Sequence, residues 1–155
     1  PLVPGYVAGR GGDSLVRLLA READATCGGV QILGAVNDPA RDLFAKARLG
    51  VVPQRFGAGI AGKVVETFAA GLPCIMSEVA ADSLELPSVL AGLVRRSVDE
   101  IVQEIIRLHE QPAHVDDLGR QGCRMVEDSF SREAVERSLG VALGFVEPVV
   151  EKLRA

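Results

Sequence analysis

The chain has 155 residues, of which 48% are hydrophobic and 25% are charged, and its formal net charge is −4. This length and composition are typical of one globular domain, and no apolar run approaches the roughly 20 residues of a membrane-spanning helix. The negative charge and the absence of tryptophan argue against a nucleic-acid-binding surface, which needs a concentrated basic face and stacking side chains.

The first 96 residues alternate between strand-like and helical segments. The patterns predict strands over 2–8, 29–36, 50–54, 72–77 and 92–96, and helices over 14–23, 40–49 and 62–71. Gly71 closes the last of these helices, and the segment 79–86 is predicted as a loop with one helical turn. Alternating strands and helices form parallel sheets, so we expect an α/β, Rossmann-like, doubly wound sheet with helices on both faces.

From residue 97 onward the sequence predicts helices only. Ser97 and Glu100 have the spacing of a capping box, which marks the start of the first of these C-terminal helices. A second helix is predicted over 113–127. A third is predicted to begin near Ser131 and to continue to the end of the chain, with a kink at Pro148.

The cysteines bear on the compartment and on metal binding. Cys27, Cys74 and Cys123 are widely separated, odd in number and without the spacing of metal ligands. This pattern favours reduced thiols in a cytoplasmic protein and no metal site. The first ten residues also lack the charged and apolar segments of a secretory signal, so we expect a cytoplasmic location.

The segment RFGAGIAGKVVETFAAGLP contains two overlapping glycine patterns. Gly57-x-Gly59-x-x-Gly62 is the dinucleotide-binding fingerprint, and the same glycines followed by Lys63 form most of a P-loop. Both patterns bring backbone amides close to phosphate at a helix N-terminus. The P-loop interpretation fails, because the Ser or Thr that must bind magnesium after the lysine is replaced by Val64.

A dinucleotide-binding domain of an FAD- or NAD-dependent oxidoreductase is the alternative that stays open. Glu78 follows Gly57 by about the 20 residues expected for a carboxylate that binds ribose. Against this interpretation, residues 53–56 separate the predicted strand from the first glycine, and the helix begins with the bulky Lys63 and Val64. Two strand–helix units also precede the fingerprint, which normally opens such a fold.

A longer pattern extends over residues 29–84. A strand ending in glycine precedes an Asp-containing turn, a second strand ends in proline, and ETFAAGLP, beginning at Glu66, follows the glycine-rich loop. This pattern resembles the C-terminal, donor-binding half of the group 1 glycosyltransferases of GT-B fold. Thr67 stands where that family usually has alanine, and SFSREAVERSL at 129–139 resembles the family's late helix.

The resemblance implies transfer of a sugar from a nucleotide diphosphate sugar to an acceptor, with retention at the anomeric carbon. The resemblance implies that Glu66 accepts hydrogen bonds from the ribose hydroxyls. A carboxylate suits this role because, when ionised, it accepts hydrogen bonds and donates none. The other implied donor-binding residues are Gly57, Ala58, Gly59, Ile60, Lys63 and Val64. The implied base pocket consists of Gly34, Ala35, Val36 and Asn37. Arg55 is a further candidate for the same cleft.

One position departs from the common family pattern. The family often has a glutamate eight positions before Glu66, and this chain has Ala58 there. One branch of the family instead has Gly-Ala-Gly-Ile-x-x-Lys, which this chain follows from Gly57 to Lys63. The resemblance therefore leaves the contact with the hexose open.

The resemblance also implies how much of the enzyme this chain represents. We expect residues 1–155 to form one nucleotide-sugar-binding domain, truncated at its N-terminal edge and inactive without the family's N-terminal, acceptor-binding half. The expected donor is a UDP-, GDP-, ADP- or dTDP-sugar, the acceptor is a glycan or a lipid, and no cofactor, metal or nucleic acid is expected. Peripheral association with the inner face of the membrane, and a non-catalytic nucleotide-binding module, stay open as alternatives.

Overall fold

The computed structural model describes residues 5–8, 18, 21–22 and 29–145. The chain divides into two compact units, Pro1–Ala47 and Arg48–Ala155. The described strands pair in parallel throughout, in one two-stranded and one three-stranded sheet, and helices connect them. The predicted α/β class with parallel strands is therefore confirmed.

The first unit contains a small parallel sheet. Strand β1 (Gly5–Ala8) pairs with strand β2 (Val30–Gly34), and the two strands lie within the predicted segments. The helix predicted over 14–23 falls mostly outside the described residues. Of that helix, the structure describes three helical residues, Leu18, Arg21 and Glu22.

The prediction of one helix over 40–49 was wrong. Helix α1 (Pro39–Asp42) begins after Asp38, whose side chain accepts a hydrogen bond from a backbone N–H of the first turn at 3.2 Å. The backbone leaves the helical conformation at Leu43 (φ −121°), and a 3-10 turn follows over Phe44–Lys46. Neither piece contains a buried residue, so tertiary packing, which stabilises most helices in proteins, does not join them.

The second unit alternates strands with helices and then continues as helices only. Its elements are β3 (Gly50–Val52), α2 (Gly62–Ala69), β4 (Cys74–Ser77), α3 (Glu78–Ala81), α4 (Ser88–Ala91), β5 (Val94–Arg95), α5 (Val98–His109), α6 (Pro112–Phe130) and α7 (Arg132–Ala142). The strand order is β3-β4-β5, which places β4 in the centre, and β5 lies within the strand predicted over 92–96. The helices predicted over 62–71 and 113–127 and the turn within 79–86 are also confirmed.

Two helix ends follow local signals. Ser97 accepts a hydrogen bond from the Glu100 backbone N–H at 3.1 Å, which confirms it as the cap of α5. The Glu100 carboxylate returns a contact to the backbone N–H of Arg96 at 2.7 Å, one residue earlier than in a standard capping box.

The last described helix ends earlier than predicted. Helix α7 begins after Ser131, as expected, but it ends at Ala142 and does not continue to the end of the chain. Gly144 adopts φ 75° and donates to the Val141 carbonyl, and Phe145 donates to the Gly140 carbonyl. These two bonds form a Schellman motif, which closes a helix at a left-handed glycine. The predicted kink at residue 148 lies outside the described residues.

The core of the second unit surrounds the central strand. Cys74, Ile75 and Met76 of β4 are fully buried, as expected for a parallel strand covered on both faces. Burial raises the pKa of the Cys74 thiol to about 12, although a hydrogen bond with Thr67 lowers it, so the thiol stays protonated. Other fully buried apolar side chains of the described residues include Val64, Phe68, Leu90 and Leu108.

Two glycines of α6 allow this helix to contact the end of α2. A Cβ atom on Gly119 would overlap the carbonyl oxygen of Gly71, and one on Gly122 would overlap the ring of Phe68. Gly71 itself has φ 76° and ends α2 as predicted. The close approach of α6 therefore fixes the C-terminal end of the helix that contains Glu66.

A buried carboxylate joins the edge strand to α5. The side chain of Glu104 is 5% exposed and accepts hydrogen bonds from Arg95 at 2.6 Å and from Arg107 at 2.5 to 3.2 Å. Burial by itself would raise the pKa of Glu104, but the hydrogen bonds from Arg107 and Arg95 outweigh it and the pKa is lowered. The ionised carboxylate thus holds β5 against α5.

We expect the substitution Gly119→Ala to lower the free energy of unfolding by about 1–3 kcal/mol. The added methyl group would overlap a backbone oxygen, which cannot rotate away as a side chain can. Urea denaturation measures the change. Gly62→Ala is the matched control, because nothing lies within 4 Å of a Cβ at that position. Equal stability of the Gly119→Ala variant and this control would contradict the packing described here.

We expect Glu104→Gln to lower the free energy of unfolding at pH 7 by about 1–3 kcal/mol, because two guanidinium groups lose their buried carboxylate. The pKa of Glu104 is lower in the folded state, so its contribution is complete above the unfolded pKa and is lost as pH falls through the folded pKa. The difference between wild type and variant should therefore shrink in acid. Denaturation curves measured across a pH series test this expectation.

The control for that experiment is Glu136→Gln. Glu136 forms an exposed ion pair with Arg132 at 2.7 Å, and exposed pairs of this kind contribute little to stability. Its substitution should leave the free energy of unfolding nearly unchanged. A loss at Glu136 as large as the loss at Glu104 would refute the distinction between the buried and the exposed pair.

Candidate functional site

The glycine-rich segment forms an exposed loop at the carboxyl end of the three-stranded sheet. It leaves β3 after the buried Val52 and enters α2 at the buried Ala61. All residues from 55 to 60 are exposed, and the side chains of Phe56 and Ile60 are 84% and 56% exposed. Both ends of the loop are thus anchored in the core while its middle faces outward.

Gly57 and Gly59 each require glycine, but for different structural reasons. The side-chain amide of Gln54 donates to the Phe56 carbonyl at 3.0 Å and lies where a Cβ of Gly57 would be. Gly59 has φ 75°, in the left-handed region that favours glycine. The carbonyl of Gln54 accepts a hydrogen bond of 2.6 Å from the hydroxyl of Ser77, the last residue of β4.

Helix α2 begins without a side-chain cap. Ala61 occupies the N-cap position, and its carbonyl accepts from the backbone N–H groups of Val64 and Val65. The N–H groups of Gly62 and Lys63 have no hydrogen-bond partner in the described part of the chain. Unpaired amides and the positive end of the helix dipole together make this end of α2 favourable for an anion.

The charged residues from 48 to 65 are all basic. Residues 48–65 include three basic residues, Arg48, Arg55 and Lys63, and no acidic residue, although the whole chain has a net charge of −4. Arg55 and Lys63 are exposed, and neither forms an ion pair within the described ranges. The loop therefore offers cations and amide donors to a negatively charged group.

Helix α2 presents Glu66 and Val64 to different surroundings. Glu66 is exposed, one turn after Lys63, and its carboxylate has no hydrogen-bond partner among residues 5–8, 18, 21–22 and 29–145. Val64 is fully buried in the core, on the same side as Phe68, so its side chain is not accessible to a ligand. Thr67 donates to the Lys63 carbonyl at 2.7 Å and packs against Gly50.

The carboxylate that a dinucleotide-binding site would require has another partner. Glu78 accepts a hydrogen bond of 2.7 Å from Nε of Arg96, and this bond, with the charge of Glu78, raises the pKa of Arg96. The first glycine of the fingerprint also follows the end of β3 by several residues, because the strand ends at Val52. Both observations disfavour the dinucleotide alternative, in which the glycine directly follows the strand.

The four residues predicted as the base pocket belong to the first unit. Gly34 ends β2 with φ 68° and is half-buried, and Val36 is also half-buried. Ala35 and Asn37 are exposed and precede the cap of α1. They thus lie at the carboxyl end of a parallel strand, where ligands bind in open α/β sheets.

Among the described residues, no three His, Cys, Asp or Glu side chains are grouped as metal ligands. In the same residues, no helix combines the length and the apolar character needed to cross a membrane.

Sequence reasoning missed Gln54 and Ser77. Their contact links residues 23 positions apart, and no local pattern records it. The available signal was positional, since polar residues follow β3 and end β4, and the carboxyl ends of neighbouring parallel strands meet at one edge.

The family model described as "Glycosyl transferases group 1" matches residues 4–111. No curated protein matches the chain. The matched region covers well over half of the chain and includes the glycine-rich loop, Lys63 and Glu66. The chain therefore belongs to the group 1 glycosyltransferases.

Proposed function

We propose that this chain is the donor-binding domain of its glycosyltransferase and that the loop at 53–61 and helix α2 hold a nucleotide diphosphate sugar. The observation that carries the proposal is the start of α2, where two adjacent unpaired N–H groups stand beside an exposed loop without acidic residues. Family membership supplies the reaction class, because group 1 members transfer sugars.

The diphosphate is the part of the donor that this arrangement complements. The N–H groups of Gly62 and Lys63 and the Lys63 ammonium group bind its oxygens, and Gly57, Ala58, Gly59 and Ile60 border it. When the bond from the anomeric carbon to the diphosphate oxygen breaks, negative charge accumulates on the leaving diphosphate. Fixed amides and a cation stabilise that charge better than mobile water does.

Glu66 binds the ribose in this proposal. It lies one turn beyond Lys63 on the exposed face of α2, and its carboxylate has free acceptor positions for a pair of hydroxyl donors. Val64 contributes through packing, since its buried side chain anchors the first turn of α2 in the core. Arg55 is a second cation for the same donor.

The remaining assignments follow from the resemblance. Gly34, Ala35, Val36 and Asn37 form the base pocket for uracil, guanine, adenine or thymine. Transfer proceeds with retention at the anomeric carbon and without a metal or other cofactor. Residues 1–155 act as the C-terminal domain, and a separate N-terminal half binds the glycan or lipid acceptor in the cytoplasm or at the inner face of the membrane. The chain alone binds the donor without turnover.

We expect Glu66→Ala to weaken nucleotide binding by about 1–3 kcal/mol, because the ribose hydroxyls lose a charged acceptor. Calorimetric titration with UDP, GDP, ADP and dTDP identifies the base and then measures the loss. Glu85→Ala is the charge-matched control, since Glu85 is exposed and has no partner among the described residues. Failure of the wild-type chain to bind any of the four at millimolar concentration would refute the proposed function.

We expect Lys63→Gln to weaken binding of the selected nucleoside diphosphate by about tenfold and to leave binding of the corresponding nucleoside unchanged. The reason is that Lys63 contacts only the diphosphate. The same titrations, performed with the nucleoside diphosphate and with the nucleoside, measure the change in the dissociation constant for each ligand. Arg124→Gln removes a positive charge from an exposed side chain of α6 and is the control. An equal loss for nucleoside and diphosphate would remove Lys63 from the diphosphate site.

A further inference from the structure

The exposed loop is tied to the rest of the second unit at one point. Within the described ranges, the hydrogen bond from Ser77 to the Gln54 carbonyl is the one that joins residues 54–60 to another element. Its length of 2.6 Å is at the short end for O–H···O bonds. The shape of the loop between its two buried ends therefore depends on this contact.

Ser77 is itself held in place from two directions. It is the last residue of the central strand β4, and its oxygen also accepts a hydrogen bond from the Ala80 backbone N–H, which caps α3. A hydroxyl has one donor and two acceptor positions, so the donor is directed to the loop while an acceptor position serves the helix. The hydroxyl thus holds the loop against the end of the central strand.

Gln54 extends this constraint to the glycines. Its carbonyl is held by Ser77, and its side-chain amide donates to the Phe56 carbonyl at 3.0 Å. The same amide occupies the space beside Gly57 that a Cβ would need. One half-buried residue therefore connects the end of β4 with the exposed part of the loop.

We propose that Ser77 is a positioning residue whose hydroxyl, through Gln54, sets the conformation of the glycine-rich loop for the donor diphosphate. The second half of this statement rests on the proposed function. Loss of the hydroxyl releases the loop between Val52 and Ala61, while the start of α2 keeps its own backbone bonds. The substitution also removes the side-chain cap of α3, so the loss of the cap has to be separated from the release of the loop.

Trypsin provides a readout of the loop that needs no ligand, because Arg55 is an exposed cleavage site within it. Cleavage requires the loop to open, so its rate follows the population of open conformations. We expect cleavage after Arg55 to be about three- to tenfold faster in Ser77→Ala, as removal of one hydrogen bond predicts. Cleavage after Arg124 in α6 reports global opening, so a rise in the ratio of Arg55 cleavage to Arg124 cleavage in Ser77→Ala assigns the change to the loop.

Two further variants separate the loop contact from the helix cap. Ser77→Thr keeps a hydroxyl and should restore slow cleavage. Ser77→Asp keeps an acceptor for the Ala80 N–H but has no donor for the Gln54 carbonyl when ionised, so its loop should be cleaved as fast as in Ser77→Ala. Slow cleavage in Ser77→Asp, or equal rates in wild type and Ser77→Ala, would overturn the proposal.

A titration with the nucleoside diphosphate that the wild type binds tests the second half. The dissociation constant should rise about three- to tenfold in Ser77→Ala and return to the wild-type value in Ser77→Thr. Unchanged affinity in Ser77→Ala with a faster-cleaved loop would overturn the positioning role. Faster cleavage in a chain whose wild type binds no nucleotide would support the role of Ser77 in holding the loop and refute the donor-binding function instead.

Discussion

Burial of the central strand β4 is the constraint on which the second unit depends. Both faces of this strand are buried, as is typical of parallel sheets, and β3 and β5 pair with it in parallel on either side. Because the three strands run in the same direction, their carboxyl ends lie together at one end of the sheet. The glycine-rich loop, Ser77 and Arg96 all follow or end these strands, so the same packing that stabilises the unit also assembles the polar groups of the candidate site.

The features that sequence could predict are those encoded within a few residues. Ser97 caps α5 and Gly71 ends α2 through contacts with neighbouring residues, and both were predictable from residue type and position. The burial of Val64 could also have been predicted, because it lies one turn before Phe68 on the same apolar face. The end of α7 was missed because the prediction relied on the proline at 148 and overlooked Gly144. This glycine lies nearer, adopts the left-handed conformation and closes the helix.

The features that sequence could not predict depend on tertiary contacts. Glu104 looks like an ordinary charged residue of an amphipathic helix, and only the fold brings Arg95 beside it and buries it. The contact between Ser77 and Gln54 likewise needs the register of β3 and β4. The loop and α2 are contiguous in the chain, so sequence alone could propose them together as a candidate site, but it could not predict how the loop is held.

The chemistry of the loop limits what it can recognise. Between residues 48 and 65 the chain has no carboxylate, and its one neutral polar side chain, that of Gln54, is bonded to the Phe56 carbonyl, so the loop offers backbone groups, cations and apolar side chains. Such a surface complements phosphate oxygens, which only accept hydrogen bonds, and it provides no carboxylate for a sugar hydroxyl. Glu66 is the first carboxylate after the loop and lies on α2, one turn beyond Lys63. The hydrogen-bond-donating loop thus precedes the hydrogen-bond-accepting Glu66 along the chain. This order matches a ligand in which a diphosphate is joined to a ribose.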